Sequence, residues 1–144
     1  MSLHLIKLCV GAEDVEDLEE WIERRLAERR RAGQPVEHFH TTRMMPKRAD
    51  ELTSGGSLYW VIKGQVQCRQ RLLEVRPFTD AEGIGRCHLV LEPKVVRTQW
   101  QPKRAFQGWR YLKVNEAPAD LPDDADIRSM PGELRSELAE LGLL

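Results

Sequence analysis

Turn residues cut residues 57–113 into segments too short to be helices. Gly64 stops "SLYWVIK", and "TDAEGIG" stops "QVQCRQRLLEVRPF". Three shorter runs follow, "RCHLVLE", "KVVRTQW" and "AFQGWRYLK". Punctuation at this spacing, around runs rich in Val, Leu, Tyr and Trp, predicts an antiparallel meander or barrel. Within the long run, Val66, Cys68 and Leu72 share one alternating phase, while Leu73 and Val75 fall on the other. That switch predicts a bulge or a corner in the strand.

The first half supplies the helices. "LHLIKLCV" reads as a strand, and Asp14 is a good N-cap for "VEDLEEWIERRLAERRRAG". Val15, Leu18, Trp21, Ile22 and Leu26 form one apolar stripe at helical spacing. Acids open this helix and Arg29, Arg30 and Arg31 close it, as the macrodipole favours, before Gly33 and Pro35 end it. "VEHFHTTRMM" predicts a strand and "PKRADELTSGG" a short helix with Pro46 in its first turn. The expectation is one α+β domain over residues 1–144: a small antiparallel β-barrel with peripheral helices. Residues 114–130 read as an extended acidic loop and 131–142 as a closing helix, with Leu134, Leu138 and Leu141 as its stripe.

Charge is unevenly distributed. Residues 1–41 carry 6 basic and 9 acidic side chains, residues 42–113 carry 14 and 6, and residues 114–144 carry 2 and 8. The basic middle points to an anionic partner, unless the acidic tail neutralises it within the fold. No apolar run approaches the roughly 20 residues of a membrane helix. Cys9, Cys68 and Cys87 have no C-x-x-C spacing, so a disulfide framework is not expected, and the cytoplasm is the natural compartment.

The densest mix of cation and ring is the pair "GGSLYWVIKGQVQCRQRLLEVR" and "KRAFQGWRYLK". Strict alternation puts Gln67, Arg69 and Arg71 on one strand face. Arginine contacts phosphate in a planar, bidentate way, and aromatic faces stack on unpaired bases. The candidate ligand-binding residues are therefore Lys63, Arg69, Arg71, Trp60, Trp109 and Arg110. The competing reading makes the rings core and the cations a solvated face.

"HFHTT" is the second constellation. His38 and His40 point to one side of a strand, a spacing that can chelate a transition metal. No second paired-ligand motif accompanies them, so no metal and no cofactor is expected. His40 and Thr42 make a single H-x-T, where two-histidine phosphoesterases use two. P-loop, G-x-G-x-x-G and G-x-S-x-G patterns are absent from the sequence.

Four stretches, "LHLIKLCVG", "TTRMMPKRADEL", "GGSLYWVIKG" and "KRAFQGWRYL", resemble a small family of bacterial proteins of unknown function, mostly alphaproteobacterial. That resemblance implies no activity and no site residues. "GQVQCRQR" resembles the G-x-K-x-x-E-x-R strand-turn motif of ASCH domains, members of the PUA-like barrels. Gly64 and Arg71 match, while Val66 and Arg69 stand at the lysine and glutamate positions. This resemblance implies a barrel with a cleft beside the strand after Gly64, and binding of RNA or a modified nucleotide.

The leading expectation is a binding module for single-stranded nucleic acid or a modified nucleotide. A small enzyme acting on a nucleotide or phosphoester is the second, with His38, His40 or His88 as base or ligand. A protein-interaction domain, with a homodimer as one form of it, is the third.

Overall fold

The computed structural model describes residues 3–121. In chain order these form β1 (His4–Leu8), α1 (Val15–Arg31), β2 (His38–Thr42), α2 (Ala49–Thr53), β3 (Ser57–Ile62), β4 (Gln65–Thr79), β5 (Gly85–Leu91), β6 (Val96–Pro102) and β7 (Trp109–Leu112). α1 starts where its cap predicts: the Asp14 carboxylate accepts from the Asp17 backbone N–H at 2.8 Å. Its buried stripe is Val15, Leu18 and Ile22, while Trp21 is 41% exposed.

The seven strands lie in the order β2-β5-β4-β3-β1-β7, and β6 pairs with β4 alongside them. β1 runs parallel to β3, and the other strand pairs are antiparallel. The sheet is therefore mixed rather than antiparallel. Parallel neighbours need a crossover, and α1, β2 and α2 all lie within this one.

The expected barrel is instead an open, curled sheet. β2 and β7 are the ends of the strand order, and they do not pair among the described residues. The curl originates in β4, which carries register shifts against all three partners. Against β3, Val66 lies opposite Val61 but Cys68 lies opposite Trp60, so Gln67 is the extra residue. Against β5, Leu72 lies opposite Leu91 and Glu74 opposite Val90, and the extra Leu73 is 50% exposed. Bulges bend the strand that carries them. β5 and β4 separate β2 from β3 in the sheet, yet the His40 ring stands edge-on to Trp60 at 5.2 Å.

Side chains latch the gap between the sheet's ends. Trp109 Nε1 on β7 donates to the Met44 carbonyl at 2.6 Å, just after β2. The Tyr111 hydroxyl accepts from the backbone N–H groups of Lys47 and Arg48. In the main core, Leu5, Leu58, Trp60, Cys68 and Leu89 meet the apolar stripe of α1. Ile6, Tyr59, Val61, Val66 and Leu112 form a second cluster.

Part of the expected acidic loop, residues 114–121, lies within the described residues. Val114–Glu116 make a 3₁₀ turn, and Asp120 bridges Thr98 on β6. Gln99 and Leu121 donate backbone hydrogen bonds across this junction, to Ala119 and Arg97. The rest of the expected acidic loop and the expected helix over 131–142 lie outside the described residues. Among the described residues no helix is long and apolar enough to cross a membrane.

Candidate functional site

The six residues singled out from the sequence are dispersed. Lys63 sits in the β3–β4 turn at φ 50° and pairs with Glu13. Arg69 lies opposite Tyr59, where Asp120 clamps it through Nε–Oδ1 at 2.8 Å and Nη2–Oδ2 at 2.7 Å. Its Nη1 also donates to Ser57 Oγ. Arg71 is exposed opposite Ser57. Arg110 lies over the Phe106 ring, with Lys103 over the same ring. Trp109 serves in the β7 latch. Trp60, on β3, lines a cleft of about 690 Å³.

The dense "KRAFQGWRYLK" stretch thus splits between two tasks. Trp109 and Tyr111 pack on the main core and hold the loop after β2. Phe106 packs on the second cluster beneath two cations. The basic middle of the chain is also partly paired. Arg48, Lys63, Arg69, Arg76, Arg86 and Arg97 each meet a carboxylate.

The cleft lies where the curl leaves β1 and β2 facing each other under α1. β1 and the loop after it contribute Lys7, Cys9 and Gly11. α1 contributes Leu18, Trp21, Arg24 and Arg25. β2 contributes His38 and His40, and β3 contributes Trp60. The volume is well within the range of small-molecule sites. His38 and His40 share a face, as alternation predicts, because β2 is regular where it pairs with β5.

Both imidazoles are under-satisfied. His38 Nδ1 and His40 Nε2 are buried without a hydrogen-bond partner. Buried polar atoms are normally paired, so two adjacent exceptions call for an explanation. Burial holds both rings neutral. His38 is pushed down to about 4 by desolvation, then by Arg25, against a hydrogen bond with Gln70 that favours the proton. His40 is pushed down to about 4 by desolvation, then by Lys7, His38 and Arg25. Desolvation likewise lowers Lys7 and pushes the Cys9 thiol up to about 11. The cleft therefore offers neutral imidazoles, a protonated thiol and a cationic rim near neutral pH.

An aromatic–cation ladder continues along α1. Arg25 lies 5.1 Å from the Trp21 ring centre and 5.2 Å from that of Phe39, and Arg29 lies 5.3 Å from Phe39. A second hollow, of about 640 Å³, shares Trp21, Arg24 and Arg25 with the first and extends towards Arg29 and Gln34. The sequence signal for this surface was the four-residue spacing of Trp21, Arg25 and Arg29, which puts them on one helix stripe. Among the described residues, no group of three or more His, Cys, Asp or Glu side chains is placed to hold a metal.

A family profile described as "Protein of unknown function (DUF1489)" matches residues 5–144. No curated protein and no solved structure matches the chain. The chain belongs to that family, in keeping with the resemblance carried by its four quoted stretches.

Proposed function

We propose that the protein is a binding module for a nucleotide or for single-stranded nucleic acid, and that the cleft beneath α1 is its site. One observation carries this reading. Two indoles and three cations, Trp21, Trp60, Lys7, Arg24 and Arg25, surround a cleft whose polar atoms at His38 and His40 are buried and unpaired. Rings stack a base, cations take the phosphate, and unpaired polar atoms contact the base edge. The second hollow along α1 has room for a neighbouring phosphate beside Arg24, Arg25 and Arg29.

Binding fits the cleft better than catalysis. A base whose conjugate acid sits at about 4 is weak at neutral pH, and a thiol at about 11 is a poor nucleophile. Asp17, an acid on the cleft wall, already accepts from the Glu13 backbone N–H.

The test is tryptophan fluorescence with short single-stranded RNA, single-stranded DNA and duplex DNA, at low and at physiological salt. Single strands should quench saturably, with affinity falling linearly on a log–log salt plot. Arg24→Ala should weaken binding and flatten that slope by about 0.7, the share of one phosphate contact on a single strand. Absence of quenching by any strand at low salt would overturn the reading.

A further inference from the structure

One cation in the cleft has no counter-charge. Lys7 lies on β1 in the same alternating phase as Leu5, which is fully buried in the main core. Its register partners are Trp60 on β3 and Trp109 on β7. It lines the cleft half-buried, and among the described residues it has no hydrogen bond, ion pair or ring contact. An ammonium on the inward face of a strand is costly without a partner. Asp17, the acid in the lining, is turned to other groups. It accepts from the Glu13 backbone N–H, and its charge acts on Lys63.

The other two cations of the cleft are placed differently. Arg24 is exposed on α1, and Arg25 lies over the Trp21 and Phe39 rings. From them the second hollow carries the cationic run on to Arg29, about 6 Å further along the helix than Arg25. Lys7 stands at the opposite end of this run. The wall behind it is sheet, with β1 paired to β3 on one side and to β7 on the other. A paired sheet leaves no opening for a polymer chain to continue through.

A phosphate within a strand is a diester with a nucleotide on each side, so it needs two ways out of a site. A terminal phosphate is a monoester and needs one. It carries a charge of about −1.5 to −2 near pH 7, more than a diester, and offers three acceptor oxygens to the N–H donors of an ammonium.

We propose that Lys7 receives a terminal phosphate monoester, so that the cleft holds the phosphorylated end of a single strand and the rest of the strand leaves along α1 past Arg24, Arg25 and Arg29. The inference rests on the nucleic-acid reading above and narrows it from any stretch of strand to a phosphorylated end. Trp21, 41% exposed on the cleft wall, is placed to stack the terminal base.

The experiment is calorimetry on the full chain with four oligonucleotides. These are pentathymidylate, the same strand with a 5′-phosphate, the same strand with a 3′-phosphate, and heptathymidylate. The last nearly matches the phosphorylated strands in charge without a monoester. At least one phosphorylated pentamer should bind about tenfold more tightly than both unphosphorylated strands. Lys7→Met should bring that ratio to near one, while Arg24→Ala should weaken every strand and leave the ratio in place. The wild-type ratio tests the terminal phosphate whether or not the Lys7 variant folds. Equal affinity of the phosphorylated pentamers and heptathymidylate would overturn the terminal-phosphate inference and leave the nucleic-acid reading standing. A tenfold ratio that survives in Lys7→Met would overturn it in the same way. No binding by any of the four at millimolar concentration and low salt would overturn both.

Discussion

Unfolding by urea near pH 4.5 should require about 2–3 kcal/mol less free energy than near pH 7 for each of the two cleft imidazoles, with their sum less than additive. In the fold, burial lowers His38 and His40 from the ordinary 6.5 to about 4. The unfolded chain takes up protons below about 6.5, where the folded chain does not. Their contribution is therefore complete above 6.5 and is lost as the pH falls towards 4. Carboxylates do not obscure this window. Glu37, Asp80 and Asp120 are lowered chiefly by hydrogen bonds from Arg76, Arg86 and Arg69. Their stabilisation fades only as the pH falls below the ordinary carboxylate values of 4.5 and 3.8 towards their lowered ones. His40→Gln should remove about 2 kcal/mol of the loss between pH 6.5 and pH 4.5, leaving the share of His38 and of His4 and His88, which burial also lowers. An unchanged pH profile in that variant would mean that His40 is not held neutral by the fold.

Gln70→Leu should cost about 3 kcal/mol despite adding an apolar side chain to a buried site, because one substitution strands two polar groups at once. The Trp60 indole N–H loses its acceptor and the Glu92 carbonyl loses its donor. Gln67→Leu is the matched comparison. Gln67 is also buried, but its Nε2 makes one bond, to the Ile62 carbonyl at 2.8 Å across the first β4 bulge. That variant should lose about 1 kcal/mol. Urea midpoints at fixed slope measure both. Equal losses in the two variants would show that the Gln70 bonds do not act together.

The elements were legible because local rules govern them. Asp14 capped its helix, Gly64 ended its strand, and the phase break after Leu72 proved to be the second β4 bulge. The parallel β1–β3 pair was not legible, since which strands become neighbours depends on the crossover and not on either strand's pattern. The first bulge was hidden as well. Gln67 is the extra residue, so counting in twos from Val66 puts Cys68 in the wrong cluster. Arg69 accordingly lies on the Tyr59 side, where Asp120, distant in sequence, clamps it.

Charge sums over segments concealed the cleft. Residues 1–41 are net acidic, with 6 cations against 9 acids. Lys7, on β1, and Arg24 and Arg25, on α1, nevertheless converge there, because the fold brings β1 beside that helix. Trp60 was readable as a ring beside a possible site. Its role in one cleft with His38 and His40 required the curl of the sheet, which no local signal encodes.

The most direct measurement of the account uses the chain's four tryptophans as separate reporters. Trp21 and Trp60 line the cleft, Trp109 is tied to Met44 in the β7 latch, and Trp100 lies on β6 beside Leu121. Their indole N–H signals in a ¹H–¹⁵N spectrum, assigned by single Trp→Phe variants, can be followed while a short single-stranded oligonucleotide is added. The account predicts that the Trp21 and Trp60 signals move together and saturate, while those of Trp100 and Trp109 stay in place. Movement of Trp109 with Trp21 and Trp60 unchanged would contradict it and return the site to the β7 face.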